Sequence, residues 1–504
     1  MTEPDTDPGV VGPAPELIEA GFAFEVADAP ELHHGLNLAD LAHVLVLAEQ
    51  GLLPGRAAAR LLQLLLETER VPPDAFPYDP RYGEAYNCRE RHFTERLGDD
   101  AGWLHAGRPR REAVRLALRL RLRHVVADLV DAAAGFAAAA ADLAERHAET
   151  YLADQTYLQQ AQPSTLGHYL LSFAYPAVRE GHRLLGGLDW LNRSPGGAGC
   201  ANGSRLLLDR QRIADLLGFD GVIEHTRDAM WQTDGLIDIV AGAASLLTGL
   251  DKLAEDLEIW DSREFDYVAL APAYTRASVL MPQKRNPYSL SVVRGSTGML
   301  IGRLAGLLAV TKSPSARSDN FIFAYGEVPR ALIQARKTTA LMTGVVATLE
   351  VNAERMWEAL LAGFTQATDL AEFVMQRCAV DYRTAYLVVG RAVRAAAEDG
   401  LRGVDLTGAM LDDAAHQEVG RPLGLTGSDL TEVLDPRRLV ADRTVQGGAS
   451  PSVVREMVHS LRTEVQQLHD QTQQRRERYV QSEDRLLARA AADALREVPV
   501  SDGQ

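Results

Sequence analysis

At 504 residues the chain exceeds one ordinary hydrophobic core, so several domains or one long helical body are expected. Hydrophobic content of 46% against 24% charged residues fits a soluble globular protein, and a net charge of −17 argues against nucleic acid or an anionic membrane surface as partners. Cys88, Cys200 and Cys378 lie far apart, show no metal spacing and are odd in number for a disulfide framework, so reduced thiols in a cytoplasmic setting are expected.

The opening stretch, MTEPDTDPGVVGPAPE, is acidic and proline-rich and carries no basic-then-apolar signal. It reads as a disordered tail over residues 1–20. Beyond it, apolar residues recur at helical spacing and β-branched alternation is scarce. Two helices are expected between Asn37 and Glu69, broken at Gly51–Gly55, followed by a loop marked by Pro72, Pro73, Pro77 and Pro80. A long helix should begin after Pro109 and run to about Thr150. Its Ala-rich part, Val125–Ala144, is interrupted by Asp128, Asp131 and Asp142 and does not read as a bilayer span.

Pro163 should open a further helix to about Asn192, and the glycines of Ser194–Gly203 require a loop. Further helices are expected from Ile223 to Trp260, from Leu290 to about Val310, and from about Val328 to Leu361. From about Ala367 a smaller helical domain should end in a polar helix from Pro451 to about Glu497. The expected fold is therefore all-α in three domains: an N-terminal helical domain over 21–111, a central long-helix bundle over 112–365 and a C-terminal domain over 366–504. Helices of roughly thirty to forty residues are well above the usual length. Packing against other subunits would cover their apolar faces, so an oligomer is expected.

The densest chemistry lies in Ser278-Val279-Leu280-Met281-Pro282-Gln283-Lys284-Arg285-Asn286-Pro287. Pro282 and Pro287 each lack an N–H and fix φ, so the segment cannot run as one regular helix. It should be a loop, the setting in which chemistry concentrates. Lys284 can bind a carboxylate, Asn286 can donate to one of its oxygens, and Ser278 can move a proton. No glycine-rich phosphate loop precedes a helix, and Gly196–Gly203 lacks the strand context of a dinucleotide fingerprint, so no cofactor is implied.

That segment resembles the signature loop of the fumarase/aspartase superfamily, Gly-Ser-Ser-x-Met-Pro-x-Lys-x-Asn-Pro, and "MPQKRNP" is most like its argininosuccinate lyase branch. "TYLQQAQPS", "LHAGRPR" (Leu104–Arg110) and "ATDLAEF" (Ala367–Phe373) resemble further segments of the family in the same order. The resemblance implies an all-α subunit whose central bundles join four copies into a homotetramer, with each active site shared among three subunits. It implies reversible elimination from a succinyl group, releasing fumarate, so the expected partner is a small dicarboxylate. Ser278 takes the place of the catalytic base, and Lys284 and Asn286 those of the groups that hold the substrate carboxylate and its aci form. Thr156, Gln159 and Asn202 match binding segments by position. Arg108 and Arg110 are candidate carboxylate contacts.

The departures are as informative. The motif's glycine and second serine are Ala277 and Val279. The family's acid-side histidine is Tyr157, and the glutamate that partners it falls at Ser291. Tyr157, His105 and His168 are the candidates for a different acid. Arg111 and Glu112 stand at the family's Asn-Asp positions. "ARSDNFIFAYGE" stands where the family holds the guanidino-bearing half of argininosuccinate, with Arg317 near the tyrosine position and the Gln and Lys contacts unmatched. Argininosuccinate is thus disfavoured. The expected activity is a fumarate-forming carbon–nitrogen lyase on another N-substituted succinate, with nitrosuccinate the specific idea. The alternatives are a non-catalytic structural or regulatory homologue, and an argininosuccinate lyase with a relocated acid.

Overall fold

Small residues let the longest helices of this chain touch along their backbones. The computed structural model describes residues 12–206, 208–314, 317 and 319–495. Arg110–Arg146 begins directly after Pro109, whose missing N–H is harmless at a helix start. It buries Ala113, Ala117, Ala127, Ala133, Ala134, Ala137, Ala140, Ala141 and Ala144. Leu166–Leu191, Asp234–Trp260, Tyr288–Thr311 and Asp319–Ala347 complete the bundle around it. By length and composition Arg110–Arg146 is apolar enough to cross a membrane, contrary to the reading of its interrupting aspartates, but its apolar side chains are mostly buried against the neighbouring helices.

The first helix pair, Ala29–Glu49 and Gly55–Glu69, forms a second core with Phe93 and Leu104. A third core joins residues 370–439, over Ala367–Cys378, Tyr382–Glu398 and Gly408–Val419. The final helix, Pro451–Ala494, does not pack with that third core as its place in the chain implies. It gives Val454, Val458, Leu461 and Leu468 to the bundle core, and Leu486 and Ala490 to the second core. Its polar face is tied down by Arg462–Asp142 (2.7 Å), Arg476–Asp128 (2.6 Å) and Glu483–Arg123 (2.8 Å).

Other differences from the sequence reading have local causes. Pro15–Ala27 is helical where the tail is expected; residues 1–11, and position 497 at the far end, lie outside the described residues. Ala85–Leu97 is an additional helix. The stretch Ile223–Trp260 divides into Thr226–Trp231 and Asp234–Trp260. Asp319–Ala347 starts before Val328, and Ala353–Ala362 is separated from it by a short strand. Pro163 opens no helix. It lies in an antiparallel hairpin, Tyr151–Thr156 with Gln159–Thr165, and the helix starts only at Leu166. The hairpin turns on Tyr157 and Leu158, both at positive φ (56° and 59°), without the Asn-Gly or Asp-Gly pair that marks such turns in a sequence.

Gly35 sits where Ala29–Glu49 crosses Arg110–Arg146. A Cβ there would lie 2.6 Å from Ala117 Cα and 2.8 Å from its carbonyl oxygen. Mid-helix Gly→Ala ordinarily gains up to about 1 kcal/mol. Here the clash with backbone should reverse the sign, and Gly35→Ala should cost about 1–3 kcal/mol, read as a lowered urea midpoint. A raised midpoint would refute the crossing.

Candidate active site

Residues 261–287 connect the Asp234–Trp260 and Tyr288–Thr311 helices. A two-rung ladder, Arg276 with Asn286 and Ala277 with Arg285, closes the base of the loop. Asn286 Nδ2 donates to Arg276 O (3.0 Å), and Ser278 N to Lys284 O (3.3 Å). Inside the turn, the backbone N–H groups of Leu280 and Met281 both donate to Ser278 Oγ, at 3.2 and 3.0 Å. These donors suit a serine that must carry negative charge, because they favour its alkoxide over its alcohol. Ala277 lies in the ladder, and neither it nor Val279 takes a positive φ, so the loss of the family's glycine leaves this backbone unstrained. Val279 and Leu280 at the tip are largely exposed.

The hairpin presents a second group. Tyr157 stands at its tip, 99% exposed, with Thr156 and Gln159 paired beneath it and also exposed. Gln160 anchors the strand by donating to Ala359 O (2.8 Å). His168 lies apart from the tip. Its Nε2 donates to Gly447 O (3.1 Å), and it lines a cavity of about 650 Å³ with Asp154, Asp369 and Arg443. Ser291, at the family's glutamate position, is not far from a carboxylate. Its Oγ is 3.4 Å from Glu258 on the preceding helix, and Glu258 also accepts from Arg294.

A third group surrounds the start of Arg110–Arg146. Arg108 is not an open carboxylate contact. It is 3% exposed and donates to Asp40 Oδ1 (2.5 Å), Tyr86 Oη (2.6 Å) and Ala39 O (3.1 Å), so the substrate role read from its motif gives way to a structural one. Burial pushes the Asp40 carboxyl up, but the guanidinium groups of Arg108 and Arg89 outweigh it and hold it below the usual range. Arg110 is exposed, beside Glu84 (2.5 Å) and Asn87 (2.8 Å). His105 Nε2 lies 3.1 Å from Glu90. Arg317 is exposed.

Asn202 is exposed on the glycine loop, and that loop is held by Glu112, which the sequence marks only as a departure at one of the family's Asn-Asp positions. Glu112 is fully buried and accepts one N–H from Gly197 and one from Gly199, each at 2.7 Å. The φ values of these glycines (71° and 65°) are ones that L residues rarely adopt. The detectable signal was an acidic residue in the first turn of a helix followed far downstream by a glycine run. Among the described residues no group of three or more His, Cys, Asp or Glu could hold a metal ion.

The helical bundle and this loop define a class. Residues 44–302 match the family described as Lyase, and residues 364–441 match the argininosuccinate lyase C-terminal family. The argininosuccinate lyase of Methanococcoides burtonii is 33% identical over 433 residues, 85% of this chain and 86% of that protein. That of Geobacillus thermodenitrificans is 32% identical, covering 82% of this chain and 89% of its own. The structure of an EDDS lyase variant with bound fumarate superposes with a TM-score of 0.85 at 26% identity, covering 97% of this chain and 98% of that one. The chain belongs to the fumarase/aspartase superfamily, in its argininosuccinate lyase-like branch. It is an enzyme of the carbon–nitrogen lyase class.

Burial pushes the Glu112 carboxyl up to about 7, against the two glycine N–H groups that favour its ionised form. The folded-state value exceeds the unfolded one near 4.5, so this group's contribution to stability is full below 4.5 and is lost as pH rises through 7. Glu112→Gln lacks that slope. Its melting temperature relative to wild type should therefore rise between pH 5 and pH 8, and a pH-independent difference would contradict the assignment.

Proposed function

We propose that the chain catalyses β-elimination from an N-substituted succinate, releasing fumarate, and that argininosuccinate is not its substrate. The observation that carries the reading is Ser278 Oγ accepting two loop N–H groups while Lys284 and Asn286 share the same short loop. Ser278 as alkoxide takes the proton from the carbon beside the carboxylate. Lys284 and the Asn286 amide stabilise the aci-carboxylate so formed. Its electron pair then closes the double bond, and the carbon–nitrogen bond breaks with its pair on nitrogen.

The departing nitrogen separates the possible substrates. An amine leaves as a strong base and needs a proton, whereas nitrite leaves as a stable anion and needs none. No imidazole stands at Tyr157, and both His105 and His168 have a ring nitrogen engaged within the subunit. This weighs against a relocated histidine acid and for a weakly basic leaving group, nitrosuccinate being the specific case. The "ARSDNFIFAYGE" stretch turns Phe321 and Tyr325 inward, both buried, where a guanidino-bearing substrate would need polar contacts.

Assembly belongs to the same reading. Within one subunit nothing covers Tyr157 or the Ser278 loop tip, as expected if sites are completed by other copies in a homotetramer. The Tyr288–Thr311 helix leaves Met299, Ile301 and Leu308 about half exposed or more (63%, 50% and 49%), with open space at Gly295, Gly298, Gly302 and Gly306. An apolar helix face with small residues suits close packing against copies of itself.

Purified protein should release fumarate, followed by its ultraviolet absorbance, from a member of a panel comprising nitrosuccinate, N-alkyl aspartates, aspartate, adenylosuccinate and argininosuccinate. Ser278→Ala should lose at least about a thousandfold in rate. Unchanged release in that variant would refute the base assignment, and a preference for amine-bearing succinates would refute nitrosuccinate. Met299→Glu should dissociate the assembly in light scattering and abolish fumarate release together. An intact, active assembly would exclude that face as the interface.

A further inference from the structure

Between Asp266 and Asp319 the sequence holds no Asp or Glu and seven Lys or Arg, in a chain whose net charge is −17. Two of these cations, on Tyr288–Thr311, find partners. Arg294 faces Asp251, Glu255 and Glu258 (3.9, 3.4 and 3.2 Å), and Arg303 faces Glu327 (3.7 Å). Those of the signature loop do not. Among the described residues Arg276, Lys284 and Arg285 have no carboxylate within ion-pair distance. An exposed arginine is ordinarily solvated, so charge alone assigns Arg276 nothing. Its register does.

Arg276 lies opposite Asn286 in the two-rung ladder, and Ala277 opposite Arg285. The Ser278 N–H bond to Lys284 O (3.3 Å) carries the pairing one step further. Opposite residues of an antiparallel pair project to the same side, and alternate residues along each strand share it. Arg276, Ser278, Lys284 and Asn286 therefore lie on one face of the ribbon, and Ala277 and Arg285 on the other. Neighbours on such a face stand about 5 Å apart across the strands and about 7 Å apart along a strand or diagonally. The Arg276 side chain is exposed, and its guanidinium lies 5.2 Å over the Tyr288 ring, two residues past Asn286. Two cations so placed, Arg276 and Lys284, repel unless anions lie between them.

The elimination proposed above occupies only one end of a succinyl group. Lys284 and Asn286 hold the carboxylate beside the carbon that loses its proton, where charge develops. The second carboxylate, on the carbon that carries the leaving nitrogen, has no partner among them. Building on that reading, we infer that Arg276 holds this second carboxylate through its planar, two-pronged guanidinium. The contact is made alike in bound substrate and in the transition state, so it sets affinity for dicarboxylates and leaves the chemical step to the loop. Arg276 is thereby the residue that distinguishes a ligand with two carboxylates from a ligand with one.

Calorimetric titration of the full-length protein compares sodium succinate with sodium succinamate, in which a carboxamide of nearly the same shape replaces one carboxylate. Wild type should bind succinate at least about tenfold more tightly. Arg276→Met should bind the two alike, and Arg276→Lys should keep part of the preference. Arg285→Met removes the same charge from the opposite face and should leave the preference intact. Equal affinity of wild type for the two ligands overturns the inference, as does the absence of succinate binding. So does a preference that survives in Arg276→Met, or one that falls equally in Arg285→Met, which would assign it to the charge of the loop as a whole.

Turnover separates this contact from the elimination itself. With whichever succinate derivative releases fumarate, Arg276→Met should raise KM by roughly tenfold or more while kcat changes by less than about threefold. A kcat that falls as far as in Ser278→Ala would place Arg276 in the chemical step and overturn the contact as inferred. If no derivative reacts, the elimination reading fails by itself, and the succinate titration still decides whether Arg276 holds a carboxylate.

Discussion

Everything in this subunit is arranged around the burial of one helix, Arg110–Arg146. Its alanines let Leu166–Leu191, Asp319–Ala347, the Ala29–Glu49 helix and the final helix approach it. Its arginines make that burial conditional, because a desolvated guanidinium is tolerated only with partners. The Asp40–Arg89–Arg108 cluster at its entrance shows the scale involved. Removing one member of such a buried ionic group typically costs about 3–5 kcal/mol, since it strands the others. The final helix, last in sequence, is needed to satisfy Arg123 in the middle of the first long helix. The final helix and the long helix are thereby made interdependent.

The same helix organises the glycine loop. Its first turn supplies Glu112, which fixes that loop. The signature loop is built on a different principle. It has no deep burial within the subunit and no charged partner for Ser278, only two backbone N–H groups turned onto one oxygen. Such donors are set by local chain geometry and need little reorganisation as charge develops. That explains why the loop tolerates Ala277 and Val279 in place of glycine and serine. Neither position supplies those donors, which come from Leu280 and Met281.

The reading of the chain as helical, the break at Gly51–Gly55, the start after Pro109 and the loops at Ser194–Gly203 and Ser278–Pro287 were all legible, because each depends on a proline or glycine acting on its immediate neighbours. The Tyr151–Thr165 hairpin was not. Its turn residues, Tyr157 and Leu158, adopt left-handed backbone without the residue types that announce it, and Pro163 reads equally as a helix start or a strand residue. Arg108 was legible as a motif residue but not as a buried one, since its acceptor, Asp40, lies 68 positions away.

By itself, then, the sequence determined the all-helical body, the signature loop with Ser278, Lys284 and Asn286, and the absence of histidine at position 157. These are properties of residue type and near neighbours. Only the tertiary structure decided which charges are spent. It showed Arg108 bound to Asp40, Glu112 to the glycine loop and Arg123 to Glu483. Pairing between distant side chains leaves no periodicity to read, because it depends on which helices happen to meet.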